Sequence, residues 1–180
     1  MTPDGKVIDL ASGKATHRSL TQGEPTAVAL SHDGERLAAG DDSGWVTLWD
    51  RRTWRRLGEL PICSAVASDG DDSEGVSAMA FSHDGRTLAV GTDDGRVQLW
   101  DVTTGLAIGA ALYSSGGPVM ALAFRKDDRT LYVSSRHVPL ERYEIAPDRV
   151  AFEVCRRTGS GLSLSEWRTY VRNVPYTASC

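Results

Sequence analysis

The feature that most constrains this chain is a repeat. The stretch LSHDGERLAAGDDSGWVTLWD, residues 30–50, returns as FSHDGRTLAVGTDDGRVQLWD, residues 81–101. Without a gap, Trp49 falls on Trp100, Asp50 on Asp101, Gly44 on Gly95, Gly34 on Gly85 and Ser31 on Ser82, a constant spacing of 51 residues. A weaker third copy, ALAFRKDDRTLYVSSRHVPLERYEI, sets Phe124 on Phe81, Leu131 on Leu88 and Tyr143 on Trp100 at the shorter spacing of 43. The unit is therefore close to the shorter length, and the second copy follows an insertion, ASDGDDSEG, at residues 67–75.

Each copy alternates apolar and polar residues over short runs, as at Val28 and Leu30 or Val46 and Leu48, between clusters of Gly and Asp. That period of two, so punctuated, predicts short strands joined by tight turns. In SHDG the Asp side chain can accept backbone hydrogen bonds while Gly takes a positive φ without a Cβ clash; DDSG and TDDG repeat the device one strand later. Several short strands in 40 to 45 residues, closed by Trp-Asp, are the pattern of one propeller blade.

Through VTLWD, VQLWD and the SHDG turns, the chain resembles the WD40 repeat family over nearly all residues up to Cys155. The resemblance implies an all-β fold: about three four-stranded blades at residues 23–155, an N-terminal partial blade at 1–22, and a closing tail at 156–180. It also implies a hydrogen-bonded set within a blade. Copy two supplies Thr92, Asp94 and Trp100 for it, but no Gly-His pair precedes either repeat, and Ser43 replaces the turn Asp in copy one. Trp49, Asp50, Thr92, Asp94, Trp100 and Asp101 are the structural residues carried over.

VIDLASGKATHRSL, residues 7–20, aligns with LWDVTTGLAIGAAL, residues 99–112, so the chain is expected to begin inside a blade. An incomplete set of blades leaves strand edges and apolar faces to be covered, by further blades of the same parent protein or of other chains. In the tail, Ser163 followed by Glu166 reads as a capping box, with Trp167, Tyr170 and Val171 forming one stripe of a short helix that Pro175 ends. This tail resembles the element that follows WD40 arrays in large bacterial multidomain NTPase and effector proteins. The alternative function is accordingly a C-terminal regulatory or sensor fragment of such an enzyme.

Hydrophobic residues make up 41% and charged residues 24% of the sequence, the balance of a globular domain. With no signal-like start, no long apolar stretch and three cysteines that cannot all pair, the expected setting is cytoplasmic and away from membranes. A Walker loop, a zinc-ligand spacing and a Gly-x-Ser-x-Gly elbow are all missing, so no enzyme activity, metal or cofactor is implied. His32 and His83 recur at one turn position, which favours a structural role over a catalytic one.

Two charged features remain. Blade geometry should gather Asp41, Asp42, Asp93 and Asp94 with Asp69, Asp71, Asp72 and Glu74 of the insertion on one rim, a docking face for a protein partner of basic character. The insertion lacks the Gly and bidentate Glu spacing of a calcium loop. RRTWRR, residues 51–56, sets arginines around Trp54, where Gly105 and Gly13 stand in the other copies. Such a patch can grip nucleic acid; with a net charge of -4, arginine stems covering the ring are the preferred reading. The function expected is a non-enzymatic protein-interaction or sensing scaffold.

Overall fold

The computed structural model describes residues 6–8, 13, 15–17, 19–62, 75–146 and 156. Two compact units divide the chain, Met1–Tyr143 and Glu144–Cys180. The first unit holds nearly everything described, and all of it is antiparallel sheet. Strands β1 (Lys6–Ile8) and β2 (Ala15–His17) form a two-stranded ladder. Then come a four-stranded sheet of β3 (Pro25–Leu30), β4 (Arg36–Asp41), β5 (Trp45–Asp50) and β6 (Arg56–Pro61), and a second of β7 (Val76–Phe81), β8 (Thr87–Thr92), β9 (Arg96–Asp101) and β10 (Leu106–Tyr113). The third sheet holds β11 (Val119–Phe124), β12 (Thr130–Ser135) and β13 (Glu141–Glu144).

This is the all-β, partial-propeller architecture that the repeat implies. Each large sheet is one repeat, each strand pairs with the next in sequence, and the first strands lie side by side, β3 next to β7 and β7 next to β11. The register repeats as well: Leu30 pairs with Leu37, Phe81 with Leu88 and Phe124 with Leu131. A fourth strand for the third sheet and the tail helix would fall outside the described residues.

The turns between first and second strands show why SHDG recurs. The Ser31 hydroxyl donates to Asp33 Oδ1 at 2.6 Å and accepts the Arg36 N–H at 2.8 Å, while the Glu35 N–H donates to Asp33 Oδ1 at 2.9 Å. Ser82, Asp84, Arg86 and Thr87 repeat these bonds at 2.6, 2.9 and 2.9 Å. Gly34 and Gly85 close the turns with φ of 71° and 68°.

The main core lies between the first and second sheets. Ala38, Val46, Leu48 and Leu60 from one meet Val76, Leu88, Val90 and Trp100 from the other, joined by Ala27, Ala29, Met79 and Phe81. A Cβ on Gly40 would come within 2.5 Å of Val76 Cγ1, and one on Gly91 within 2.6 Å of Val119 Cγ1. The two four-stranded sheets thus each offer a glycine hole to a valine knob of the next sheet.

Candidate docking face

Because neighbouring strands are antiparallel, the β4–β5 and β8–β9 turns emerge at one end of the sheets and the SHDG turns at the other. The acidic turns share the first end. The Ile62 N–H donates to Gly44 O at 2.9 Å and the Asp93 N–H to Gly75 O at 3.2 Å, so the residues flanking the insertion are held there too. A Cβ on Gly75 would lie 3.0 Å from Asp93 Oδ2 and 3.3 Å from the Asp42 backbone, which brings these two turns together around Gly75. Asp69, Asp71, Asp72 and Glu74 lie outside the described residues.

The predicted acidic residues do not share one role. Asp42, Asp93 and Asp94 are exposed. Asp41 is fully buried, and its carboxylate accepts the N–H groups of Gly23 at 3.1 Å, Ser43 at 3.1 Å and Trp45 at 2.9 Å. Its expected place on a docking rim is corrected: it anchors the turn, because the amides there need an acceptor once buried. Asp42 accepts the Glu24 N–H at 2.9 Å, and Asp94 accepts the Thr92 hydroxyl and, at 3.1 Å, the Arg96 N–H.

The three-member set expected of Thr92, Asp94 and Trp100 is also corrected. Thr92 and Asp94 bond, but strand register places Trp100 opposite Leu88, near the other end of β8 from Thr92. The Trp100 indole N–H is buried with no hydrogen-bond partner among the described residues. Its counterpart Trp49 donates to Leu20 O at 2.9 Å. Each Trp-Asp aspartate caps the turn that follows. Asp50 accepts the Thr53 N–H at 2.7 Å and hydroxyl at 2.8 Å, and Asp101 the Thr104 N–H at 2.7 Å and hydroxyl at 3.0 Å. Those threonine bonds, backbone first, hold both carboxyls below the usual aspartate range.

At the opposite end, RRTWRR is a turn. Trp54 takes φ 56° where Gly105 has 68° and Gly13 has 66°. Arg52 meets Glu35 at 3.4 Å, Arg56 meets Glu59 at 2.8 Å, and Arg51 donates to Gly34 O at 3.3 Å, so three of its arginines are engaged within the first sheet.

One arrangement at that end was not anticipated. Asp128 stands where Gly34 and Gly85 stand in the other turns and keeps their left-handed backbone at φ 54°. Its carboxylate reaches the preceding sheet's turn, accepting the His83 N–H at 2.8 Å and the Asp84 N–H at 3.1 Å, with His83 Nδ1 at 3.3 Å. The His83 ring lies 5.1 Å from that of His32. The signal was an Asp at a glycine position; what it bonds depends on a neighbouring sheet.

Among the described residues, no group of three or more His, Cys, Asp or Glu side chains could hold a metal ion, and no helix is long and apolar enough to cross a membrane. Three repeated sheets, the first two with serine–aspartate turns and closing Trp-Asp pairs, define a WD-repeat β-propeller protein. Within that class, the chain belongs to the family described as nucleolar protein 10-like, N-terminal domain, whose model matches residues 4–151.

Relatives place it in the same company. It is 29% identical over 181 residues to Nucleolar protein 10 of Xenopus tropicalis, covering 94% of this chain and 26% of that protein. A ribosome biogenesis protein enp2 homolog of Schizosaccharomyces pombe is 41% identical over 68 residues, 37% of this chain and 11% of its own length. The WD repeat-containing protein SL1-17 of Schistosoma mansoni is 29% identical over 145 residues, 79% and 44% of the two chains. The chain thus spans less than half of each of these relatives. All three organisms are eukaryotes, and the bacterial NTPase setting gains no support from them.

Proposed function

We propose that this chain is a non-enzymatic protein-interaction scaffold whose acidic end docks a basic segment of a protein partner. The observation that carries the reading is the convergence of exposed Asp42 and Asp93 around Gly75, on turns fixed by buried acceptors such as Asp41. A rigid turn holding outward carboxylates gives electrostatic attraction at little ordering cost. Membership in a WD-repeat propeller family supports a binding role without chemistry of its own. Further blades, from the same parent protein or from other chains, belong to the partners we propose.

The test is binding of a lysine-rich peptide by the full chain. Asp42→Lys with Asp93→Lys should weaken it about tenfold or more, as should Asp71→Lys with Asp72→Lys, and the affinity should fall with added salt. Unchanged binding by both double variants would sink the acidic-end reading.

A further inference from the structure

The acidic end changes sign at the third sheet. The second strands finish alike on all three sheets: Asp41, Thr92 and Ser135 are buried and pair with Pro25, Val76 and Val119, and the residue after each is exposed. Those exposed residues are Asp42, Asp93 and Arg136. Their backbones are held in one way, the N–H of Asp42 donating to Glu24 O at 3.1 Å, that of Asp93 to Gly75 O at 3.2 Å and that of Arg136 to Pro118 O at 3.0 Å. An arginine therefore stands in the third sheet where the first two carry aspartates.

The change falls within one continuous rim. Asp42 and Asp93 meet around Gly75, and the turns of the second and third sheets meet in the same manner around residues 116–118. A Cβ on Gly95 would come within 2.8 Å of Gly117 O, and the His137 N–H donates to Gly116 O at 3.1 Å. Among the described residues, neither the Asp93 carboxylate nor the Arg136 guanidinium forms a hydrogen bond or ion pair. Glu141, which starts β13 at this end, is engaged elsewhere: it accepts the Ser114 hydroxyl at 2.6 Å, and the Ser115 hydroxyl and N–H at 2.6 and 3.2 Å. Two opposite charges thus stay open to a partner, on turns spaced by about the 10 Å that separates packed sheets.

We infer that the segment docked at the acidic end is bipolar, with basic side chains facing Asp42 and Asp93 and a carboxylate facing Arg136. An extended chain advances about 3.3 Å per residue, so the two halves of the segment stand about three residues apart. A uniformly basic segment is the poorer occupant, because its far end would lie against Arg136 at a like-charge cost. The inference rests on the acidic-end reading and adds the order of charges to it.

The probes are two synthetic peptides, each with a lysine pair followed about three residues later by a glutamate pair in one and a glutamine pair in the other, titrated into the full chain at low ionic strength. The glutamate peptide should bind about threefold tighter or more, although the chain's net charge of -4 alone would favour the glutamine peptide. Arg136→Glu should reverse the preference. Lys126→Glu, an equal change of charge in the exposed turn at the opposite end, should preserve it, and circular dichroism of both variants should match wild type. A preference that survives Arg136→Glu, or that Lys126→Glu removes equally, would overturn the inference. Equal binding of the two peptides by wild type would overturn it while leaving the acidic-end reading intact; binding of neither would overturn both. Asp42→Lys with Asp93→Lys should weaken both peptides, so failure at the aspartates and failure of the charge order are read separately.

Discussion

Two glycines set how closely the sheets can pack. Gly40 and Gly91 sit opposite Ala27 and Ala78 in the ladder and face Val76 and Val119 of the next sheet, with no room for a methyl group between them. Gly40→Ala should therefore destabilise the chain by about 1–3 kcal/mol through overpacking, measured as a lower urea midpoint. Asp128 poses the opposite case. Its left-handed backbone favours glycine, yet its carboxylate spans two turns, and charge-assisted bonds to two N–H groups outweigh the strain. Asp128→Gly is expected to lower stability by about 1 kcal/mol despite the easier backbone. A rise in the urea midpoint would show that strain dominates. Trp54 was legible from alignment alone, because it falls on Gly105 and Gly13, whose positive φ it shares. Asp128 sits at an equally legible position, but its bonds belong to a neighbouring sheet that no local pattern describes.

At the scale of the element, the turn is the repeated unit that the sequence states most openly. Ser82 is 1% exposed, and its hydroxyl donates to Asp84 while accepting the Thr87 N–H. Ser82→Ala leaves that N–H buried without its acceptor and should cost about 1–3 kcal/mol in chemical denaturation. The carboxyl partners make the turns sensitive to acid. Asp33 and Asp84 are held below the ordinary aspartate value of 3.8 chiefly by the serine hydroxyls, Asp50 and Asp101 by threonine bonds, and Glu141 below 4.5 by Ser114 and Ser115. All five shifts are downward, so the unfolded chain binds protons more readily than the folded one. Their contribution is complete above those ordinary values and is lost as pH falls through the lower folded ones. The urea midpoint should thus stay level from neutral pH to about 5 and drop below about pH 4; a midpoint rising on acidification would contradict these turn bonds. Strand order and turn chemistry could be read in advance because both are local. The Thr92, Asp94 and Trp100 set could not, since register places Trp100 opposite Leu88.

At the scale of the whole molecule, the sheets touch in series, and each contributes one face to each neighbour. The number of sheets and their equivalence followed from the spacings of 51 and 43, but which faces stay open did not, because exposure depends on what stands beside a strand. Val28 and Met79 are equivalent in sequence and opposite in environment. A serial arrangement also makes a thermodynamic demand: stability should be close to a sum of sheet terms and nearest-neighbour interface terms. Gly91→Ala strains only the contact between the second and third sheets. Native-state hydrogen exchange should then show β11 and β12 amides losing protection while β4 and β5 amides keep theirs; Gly40→Ala should lower protection of the first sheet instead. Uniform loss from either substitution would mean that the sheets unfold as one unit. In that case, the knob-and-glycine contacts couple the faces strongly enough that covering Val28 and Leu30 would stabilise the third sheet as well.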